Sequence, residues 1–400
     1  MINADHLHQL RSDAVYDVAL VGVGLANGLI AAALLHKHPL ARIAVIDQKP
    51  AFAFNQTWCF HRSDVPSEDV WPWLQPFIAQ QWQGYDVAFA KLKRGFDGCY
   101  LGISGDKFAD VLASLFNRPT VHVYAGQNVA AVRAGEVTLL NGQQIPAQLV
   151  LDGRGAMPRT TGTGFQKFVG WDVQLDVSAN PLPSRPLLMD ACVQQVDGYR
   201  FVYVLPLGPD RALLEDTYFS STPELCVSAL ESRLEQYISN KGWRLRTLHR
   251  REQGVLPMPW KRAAGESPFA VEGVIQVGYR GGWYQPATGY SVPQALIVAN
   301  AIAGLSQLTA ESATAALQPV WRRHDARAGF YRLLNRLAFR GVNDEDRFAV
   351  FERFYRLPVA LVERFYAGQS TWWDRARIMG GRPPVPLSKF QMARVMEEVS

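Results

Sequence analysis

At 400 residues the chain exceeds the roughly 250–300 at which a single core stops growing, so two lobes are expected. A hydrophobic content of 48% excludes a disordered chain, and four scattered cysteines and eight histidines, with neither CxxC nor HExxH, exclude a disulfide scaffold and a zinc site. The net charge of +5 is uneven: residues 321–390 hold 14 Lys+Arg against 7 Asp+Glu, a net +7, which leaves −2 for the rest.

The N-terminus has no basic segment followed by an apolar one, so no secretory leader is expected, and the scattered cysteines fit a reducing cytoplasm. The longest charge-free stretch, 281–310, is broken by Pro286, Pro293, Gln294 and Asn300 and does not read as a membrane span. A soluble or peripheral protein is expected.

The first predicted elements are the most informative. In "YDVALVGVGLANGLIAAALLHKHPLARIAVIDQ" (16–48), Val18 to Val21 read as a buried parallel strand, Gly22 and Gly24 as a tight turn, 25–36 as a helix, and 42–47 as a second strand ending in Asp47. This is a βαβ dinucleotide unit. The glycines admit a pyrophosphate, the helix N-terminus faces its charge, and Asp47 is placed for a ribose hydroxyl. Asn27 stands where a third glycine is usual, with Gly28 beside it; looser helix–strand packing is the expected consequence.

Further along, "GDKFADVLASLF" (105–116) has helical spacing and 119–145 alternates like strands. "AQLVLDGRG" (147–155) is an apolar strand running into Asp152 and Gly153. "GVIQVGYRGGWYQPATGYSVPQALIVANAIAGL" (273–305) is a strand, a loop with Gly278, Gly281, Gly282 and Gly289, then a helix. These segments resemble the second and third FAD motifs of two-domain flavoproteins, although Tyr279 stands where many of those place an aspartate. The expected fold is α/β: a Rossmann-type, hydroxylase-like FAD-binding lobe (14–60, 100–165 and 255–310) with an inserted antiparallel β-sheet substrate lobe (61–99 and 166–254). A C-terminal helical, membrane-facing segment (311–400) completes it.

Inside the inserted lobe, "RALLEDTYFS" follows a Pro-Leu-Gly-Pro-Asp turn and reads as the second strand of a hairpin. Two carboxyls, Glu215 and Asp216, interrupt its apolar run. On a regular strand they face opposite ways. A strand-end acid paired with a cation such as Arg211 is the plain alternative for Glu215, and a structural carboxylate for Asp216.

Four stretches, "VGVGLANGLIAAAL", "NQTWCFH" (55–61), "LLEDTYFS" and "GYRGGWYQPATGYSVPQAL", together with "RLPVALVERFYAGQSTWWDRARIMGGRPPVPL", closely resemble the bacterial lycopene β-cyclases over nearly the whole chain. The first 13 residues resemble a family-variable extension. The resemblance implies an isomerase, an intramolecular lyase that closes both ends of lycopene to β-carotene through γ-carotene without net redox change. It implies reduced FAD, with NAD(P)H as electron source, and Glu215 as the essential acid. The cofactor residues would be Gly22, Gly24, Asn27, Gly28, Asp47, Asp152, Gly153, Gly278, Gly281, Gly282 and Gly289. Asp216 and His61 join Glu215 as catalytic candidates, His61 as acceptor of the returning proton or as a buried structural histidine. Trp58, Trp283 and Tyr284 offer aromatic faces to a cation, or plain core. Lycopene and γ-carotene are the expected substrates, with peripheral contact on the cytoplasmic face of the membrane, other carotenoid enzymes as neighbours, and no nucleic acid or metal. A flavin monooxygenase or a redox carotenoid enzyme on the same fold is the alternative. It would share the glycines and Asp47 but consume NAD(P)H and oxygen in stoichiometric amounts.

Overall fold

A computed structural model describes residues 15–155, 162–196, 198–262, 266–381 and 383–396. The N-terminal extension expected over the first 13 residues lies outside the described residues.

The chain passes back and forth between two sheets. It opens with β1 (Tyr16–Val21), α1 (Leu25–Lys37) and β2 (Ile43–Asp47), then crosses over with β3 (Thr57–His61), the one-turn α2 (Trp71–Leu74), β4 (Gln80–Phe89) and β5 (Leu92–Ser104). It returns through α3 (Gly105–Phe116), β6 (Val121–Ala125), β7 (Val129–Arg133), β8 (Glu136–Leu139) and β9 (Gln144–Asp152). A second excursion runs through β10 (Thr163–Asp176), β11 (Leu187–Asp190), β12 (Arg200–Pro206), β13 (Arg211–Ser220), α4 (Val227–Asn240) and β14 (Arg244–Pro259). The chain comes back once more with β15 (Val274–Gln276) and α5 (Val292–Ala303). It ends in α6 (Ala310–Arg336), α7 (Arg347–Phe354), α8 (Val359–Tyr366), α9 (Trp372–Met379) and α10 (Met392–Met396).

The first sheet has a parallel core in the order β6-β2-β1-β9-β15, with β8 and β7 added antiparallel beside β9. Helices α1, α3 and α5 cover one face and the β7–β9 meander packs the other. Burial on both faces is why Val18 to Val21 form an unbroken apolar run. Helix α1 lies against α5, and its Ala- and Gly-rich face lets it sit close: a Cβ at Gly28 would stand 2.3 Å from the Phe108 ring of α3.

The second sheet has eight strands in the order β14-β10-β13-β12-β11-β4-β5-β3. It is antiparallel except for β4 and β11, which run parallel because β11 enters only after the chain has crossed back from the first sheet. Its long strands run past the lobe ranges expected from sequence: residues 57–60, 100–104, 163–165 and 255–259 pair here. Side chains alternate across it. On β13, Ala212, Leu214 and Tyr218 pack against α4, while Leu213 and Phe219 face the C-terminal helices. The sheet curls until its edge strands meet: Thr57 of β3 touches Glu252 and Arg250 of β14.

Candidate functional site

The turn at 206–210 closes the expected hairpin, with Leu207 N–H donating to the Arg211 carbonyl at 2.8 Å. Its register sets Tyr203 opposite Glu215 and Val202 opposite Asp216. Glu215 therefore faces the concave side of the sheet, beneath the C-terminal helices. Its Oε1 accepts the Thr217 hydroxyl at 2.7 Å. Arg211 does not reach it; that guanidinium forms two bonds to Asp172, at 2.8 and 2.9 Å. Burial without a cation, followed by the nearby charge of Glu252, pushes the Glu215 carboxyl up to about 8.

Glu252 is buried on β14. Its Oε2 accepts from Arg250 Nη1 at 3.0 Å and from the Thr57 hydroxyl at 3.2 Å. Burial raises its carboxyl to about 7, with Arg250 and Thr57 pulling the other way. The Cys59 thiol, also pushed up by burial, lies within electrostatic reach of both carboxyls. Tyr100 and Tyr290 join hydroxyls at 2.7 Å, and the Tyr290 ring lies 4.9 Å from that of Tyr366 on α8. An apolar cavity of about 250 Å³ runs from Tyr203, Phe219 and Tyr290 past Phe351 and Phe365 to Met379, Gly381 and Pro383. A wider, open hollow of about 870 Å³ beside Arg340, Asp344 and Arg394 is polar and does not suit a hydrocarbon.

The other expected site residues fall elsewhere. Asp216 points to the α4 side, where Arg200 grips it at 2.7 and 3.1 Å and Arg233 lies 3.7 Å away. It is a buried ion-pair partner on the face opposite Glu215, and a role as second acid does not follow from its position. Trp58 also turns away: β3 alternates, so Thr57, Cys59 and His61 share one face while Trp58 packs against Phe54 and Phe108 in the nucleotide lobe. Trp283 is 1% exposed, its indole N–H bonded to the Gln276 carbonyl and its ring set against Trp321. Tyr284 stacks on Tyr279 at 4.5 Å. Each of the three is packed as core. His61 is buried among Tyr85, Tyr100 and Tyr366, with an Asp64 carboxylate oxygen 3.7 Å from its Nδ1.

Sequence reasoning missed Glu252, Thr57, Cys59, Tyr203 and Tyr290. The period-two alternation in "NQTWCFH" is the signal that would have favoured Thr57 and Cys59 over Trp58. Glu252 had none, because only the pairing of β10 with both β13 and β14 brings it near Glu215.

At the other site, Gly22 adopts φ +79° and its missing Cβ leaves room for the backbone at Arg154, 2.9 Å away. Val23 N–H donates to Asp47 Oδ2 at 2.7 Å, and Lys49 N–H to Oδ1 at 2.8 Å, so Asp47 keeps lone pairs for a further donor. Asn27 is 1% exposed and faces inward, its amide donating to the Val21 and Gly22 carbonyls at 3.1 and 2.8 Å. It ties the turn to the helix instead of loosening their packing. Gly28 likewise serves the α1–α3 contact. Asp152 is held by Arg154 at 2.9 Å and by Arg280 at 2.8 Å, which joins the second glycine motif to the third. Gly153 sits against Asn27; Gly278, Gly282 and Gly289 are left-handed, and a Cβ at Gly281 would collide with the Gln276 carbonyl. Tyr279 closes the loop internally by donating to the Gly289 carbonyl. The open turn before α1, Asp47 and the two arginines define a cradle suited to a dinucleotide.

The architecture is shared with a probable FAD-dependent monooxygenase of Pseudomonas aeruginosa. That structure superposes with a TM-score of 0.56 at 14% identity, over 84% of this chain and 99% of that one. The fold class is thus the expected one, an α/β architecture with mixed sheets and C-terminal helices that this FAD-dependent protein shares. The lycopene cyclase protein family model matches residues 17–392, and the chain belongs to that family. It is 40% identical to the lycopene beta-cyclase of Pantoea ananas over 377 residues, 93% of this chain and 96% of that protein. It is 39% identical to that of Pseudescherichia vulneris, over 93% of this chain and 95% of that one.

Proposed function

We propose that the chain is a lycopene β-cyclase that closes both ends of lycopene through γ-carotene to β-carotene, with Glu215 as the proton donor. The observation that carries this reading is a half-buried carboxyl, raised to about 8 and with no cation beside it among the described residues, set opposite Tyr203, whose ring lines an apolar cavity. An alkene is a very weak base, so its acid must be neutral at working pH, dry and fixed. Partial burial keeps the carboxyl neutral by raising it, and the Thr217 hydroxyl fixes it in place.

In each half-reaction the Glu215 O–H breaks as a C–H forms at the chain terminus. The neighbouring alkene then closes on the tertiary cation, and loss of a ring proton sets the β double bond. The cavity walls exclude water that would trap the cation, and Tyr203 and Tyr290 offer ring faces worth about 0.5–2 kcal/mol each. Gly22, Gly24 and Asp47 would hold the phosphate and ribose of FAD, with Arg154 and Arg280 beside them. Reduced flavin would supply an electron-rich neighbour for the cation, with NAD(P)H as electron source and no net redox change. Anaerobic incubation of the flavin-loaded protein with lycopene and a chemical reductant should yield γ-carotene, then β-carotene, without stoichiometric reductant loss. Oxygenated or desaturated pigment would replace this reading with the monooxygenase or redox alternative.

Lycopene has no polar group and must arrive from a bilayer. Among the described residues, no helix is long and apolar enough to cross one. Trp372 and Trp373 on α9 are 68% and 75% exposed, and Met379 at the cavity mouth is 50% exposed, with Arg375 and Arg377 on the same helix. Interfacial tryptophans and basic residues of this kind favour an anionic membrane surface. The reading is therefore peripheral binding at the cytoplasmic face through α9 and its neighbours. Trp372→Ser with Trp373→Ser should cut liposome flotation at least tenfold, because partial insertion of two indoles exceeds the about 1.4 kcal/mol this requires. Equal flotation of both proteins on anionic vesicles would overturn it.

A further inference from the structure

Gly170, midway along β10, is flanked by two acids. It pairs with Glu215 on β13 at one side and with Glu252 on β14 at the other. Residues in register on neighbouring strands point to the same face, so both glutamates rise beside a position that carries no side chain. Strands lie about 4.8 Å apart, which sets the two Cα atoms about 10 Å apart. Two glutamate side chains leaning over a glycine can close that gap. Glu252 does lean over it: a Cβ at residue 170 would stand 2.7 Å from Glu252 Cγ and 3.0 Å from its Oε1. The other oxygen, Oε2, is held by Arg250 and Thr57.

We propose that Glu215 and Glu252 act as one carboxyl pair sharing a single proton across Gly170, with Glu252 the positioning residue that keeps that proton on Glu215. The inference rests on the reading of Glu215 as the acid. The groups around the pair come from every neighbouring element: Thr57 and Cys59 from β3, Tyr203 from β12, Arg250 from β14, and Tyr100 and Tyr290 behind them. Asp216, with Arg200 and Arg233, lies on the far face of the sheet. Two carboxyls in one dry site do not both ionise readily, and they titrate as a pair. Arg250 and Thr57 favour charge on Glu252, and no cation among the described residues does so for Glu215, so the shared proton resides on Glu215 at neutral pH. The scheme also balances protons. The one that leaves Glu215 for the chain terminus is replaced by the one lost from the new ring, which returns to a carboxylate of the pair. The site regains its starting state without an external acid.

The test is the pH profile of kcat/KM for the flavin-loaded, reduced protein on lycopene in liposomes, under anaerobic conditions. The unaltered protein should lose activity as pH rises through about 8. Glu252→Gln keeps the shape and removes the charge, and should move that alkaline fall down by about one pH unit. Glu252→Asp should return it part of the way. Gly170→Ala retains both acids but displaces Glu252, and should move the fall in the same direction. An alkaline fall unchanged in Glu252→Gln, with normal flavin content and circular dichroism, overturns the proposal. If that variant does not fold, an unchanged fall in Gly170→Ala overturns it. An active Glu215→Gln would instead remove the parent reading. An inactive Glu215→Gln beside unmoved profiles would remove only the pairing.

Discussion

Glu215→Gln is expected to give a folded, flavin-binding protein that forms rings about 10⁴-fold more slowly. The amide matches the carboxyl in size, and the Thr217 hydroxyl can still donate to its carbonyl oxygen. What is lost is the proton. General acid catalysis is commonly worth about 10²–10⁴-fold, and an alkene offers no alternative basic site, so the upper part of that range applies. Glu215→Asp retains the proton but withdraws it by one methylene, a misplacement worth on the order of 10². A second readout does not depend on pigment. The folded protein holds a proton on Glu215 up to about 8, whereas its ordinary value is 4.5, so the native state binds the extra proton across that interval. The stability this contributes is full below the ordinary carboxylate range and is lost as pH rises through about 8. The glutamine does not titrate. Melting temperatures at pH 5 and pH 9 should therefore fall further apart in the unaltered protein than in Glu215→Gln. Normal amounts of β-carotene from Glu215→Gln would end its assignment as donor.

Legibility followed the range of the interactions involved. The βαβ unit depends on contacts within some thirty residues, so the turn at Gly22, the buried run Val18 to Val21 and the acid at Asp47 are readable directly. Strand parity alone places Glu215 and Asp216 on opposite faces, and the structure agrees. The same rule applied to β3 separates Trp58 from Cys59, but sequence does not say which face is concave. Trp283 and Tyr284 show the converse problem: a glycine-rich loop with aromatics looks like a binding loop, yet both rings complete the packing around Tyr279 and Trp321. Glu252 is the clearest loss. Its place beside Glu215 requires β10 to pair with two strands distant in sequence, and the sheet edges to curl until Thr57 meets β14. Neither is encoded in a local pattern. The basic, aromatic C-terminal segment was readable as helices, but not as the roof of the cavity that Phe351, Phe365 and Tyr366 build.

Gly24→Val should strip flavin from a protein that still folds, and Gly22→Val cannot make the same point. At Gly22 the backbone is left-handed and a Cβ would lie 2.9 Å from the Arg154 nitrogen, so any side chain there collides with the protein itself. Loss of flavin in that variant would report damage as readily as recognition. Gly24 is different. Its backbone is extended, with φ −98° and ψ −171°, which any residue adopts, and a Cβ meets nothing within 4 Å. The protein's own packing places no demand for glycine at this position. The residue caps α1 with no side-chain bond to the first turn and no acid within it, so the first-turn N–H groups have no capping side chain. A pyrophosphate satisfies those donors and meets the positive end of the helix dipole. A valine fills the same space with methyl groups. Flavin affinity should fall at least tenfold, about 1.4 kcal/mol, measured as the flavin-to-protein ratio after desalting. The melting temperature should match that of the unaltered protein freed of flavin. Gly24→Ala, with one methyl, should lie between. Cyclisation should decline in proportion to retained flavin across the series, since Gly24 belongs to the cradle and not to the acid site. Stoichiometric flavin in Gly24→Val would show that the phosphates lie elsewhere than in front of α1.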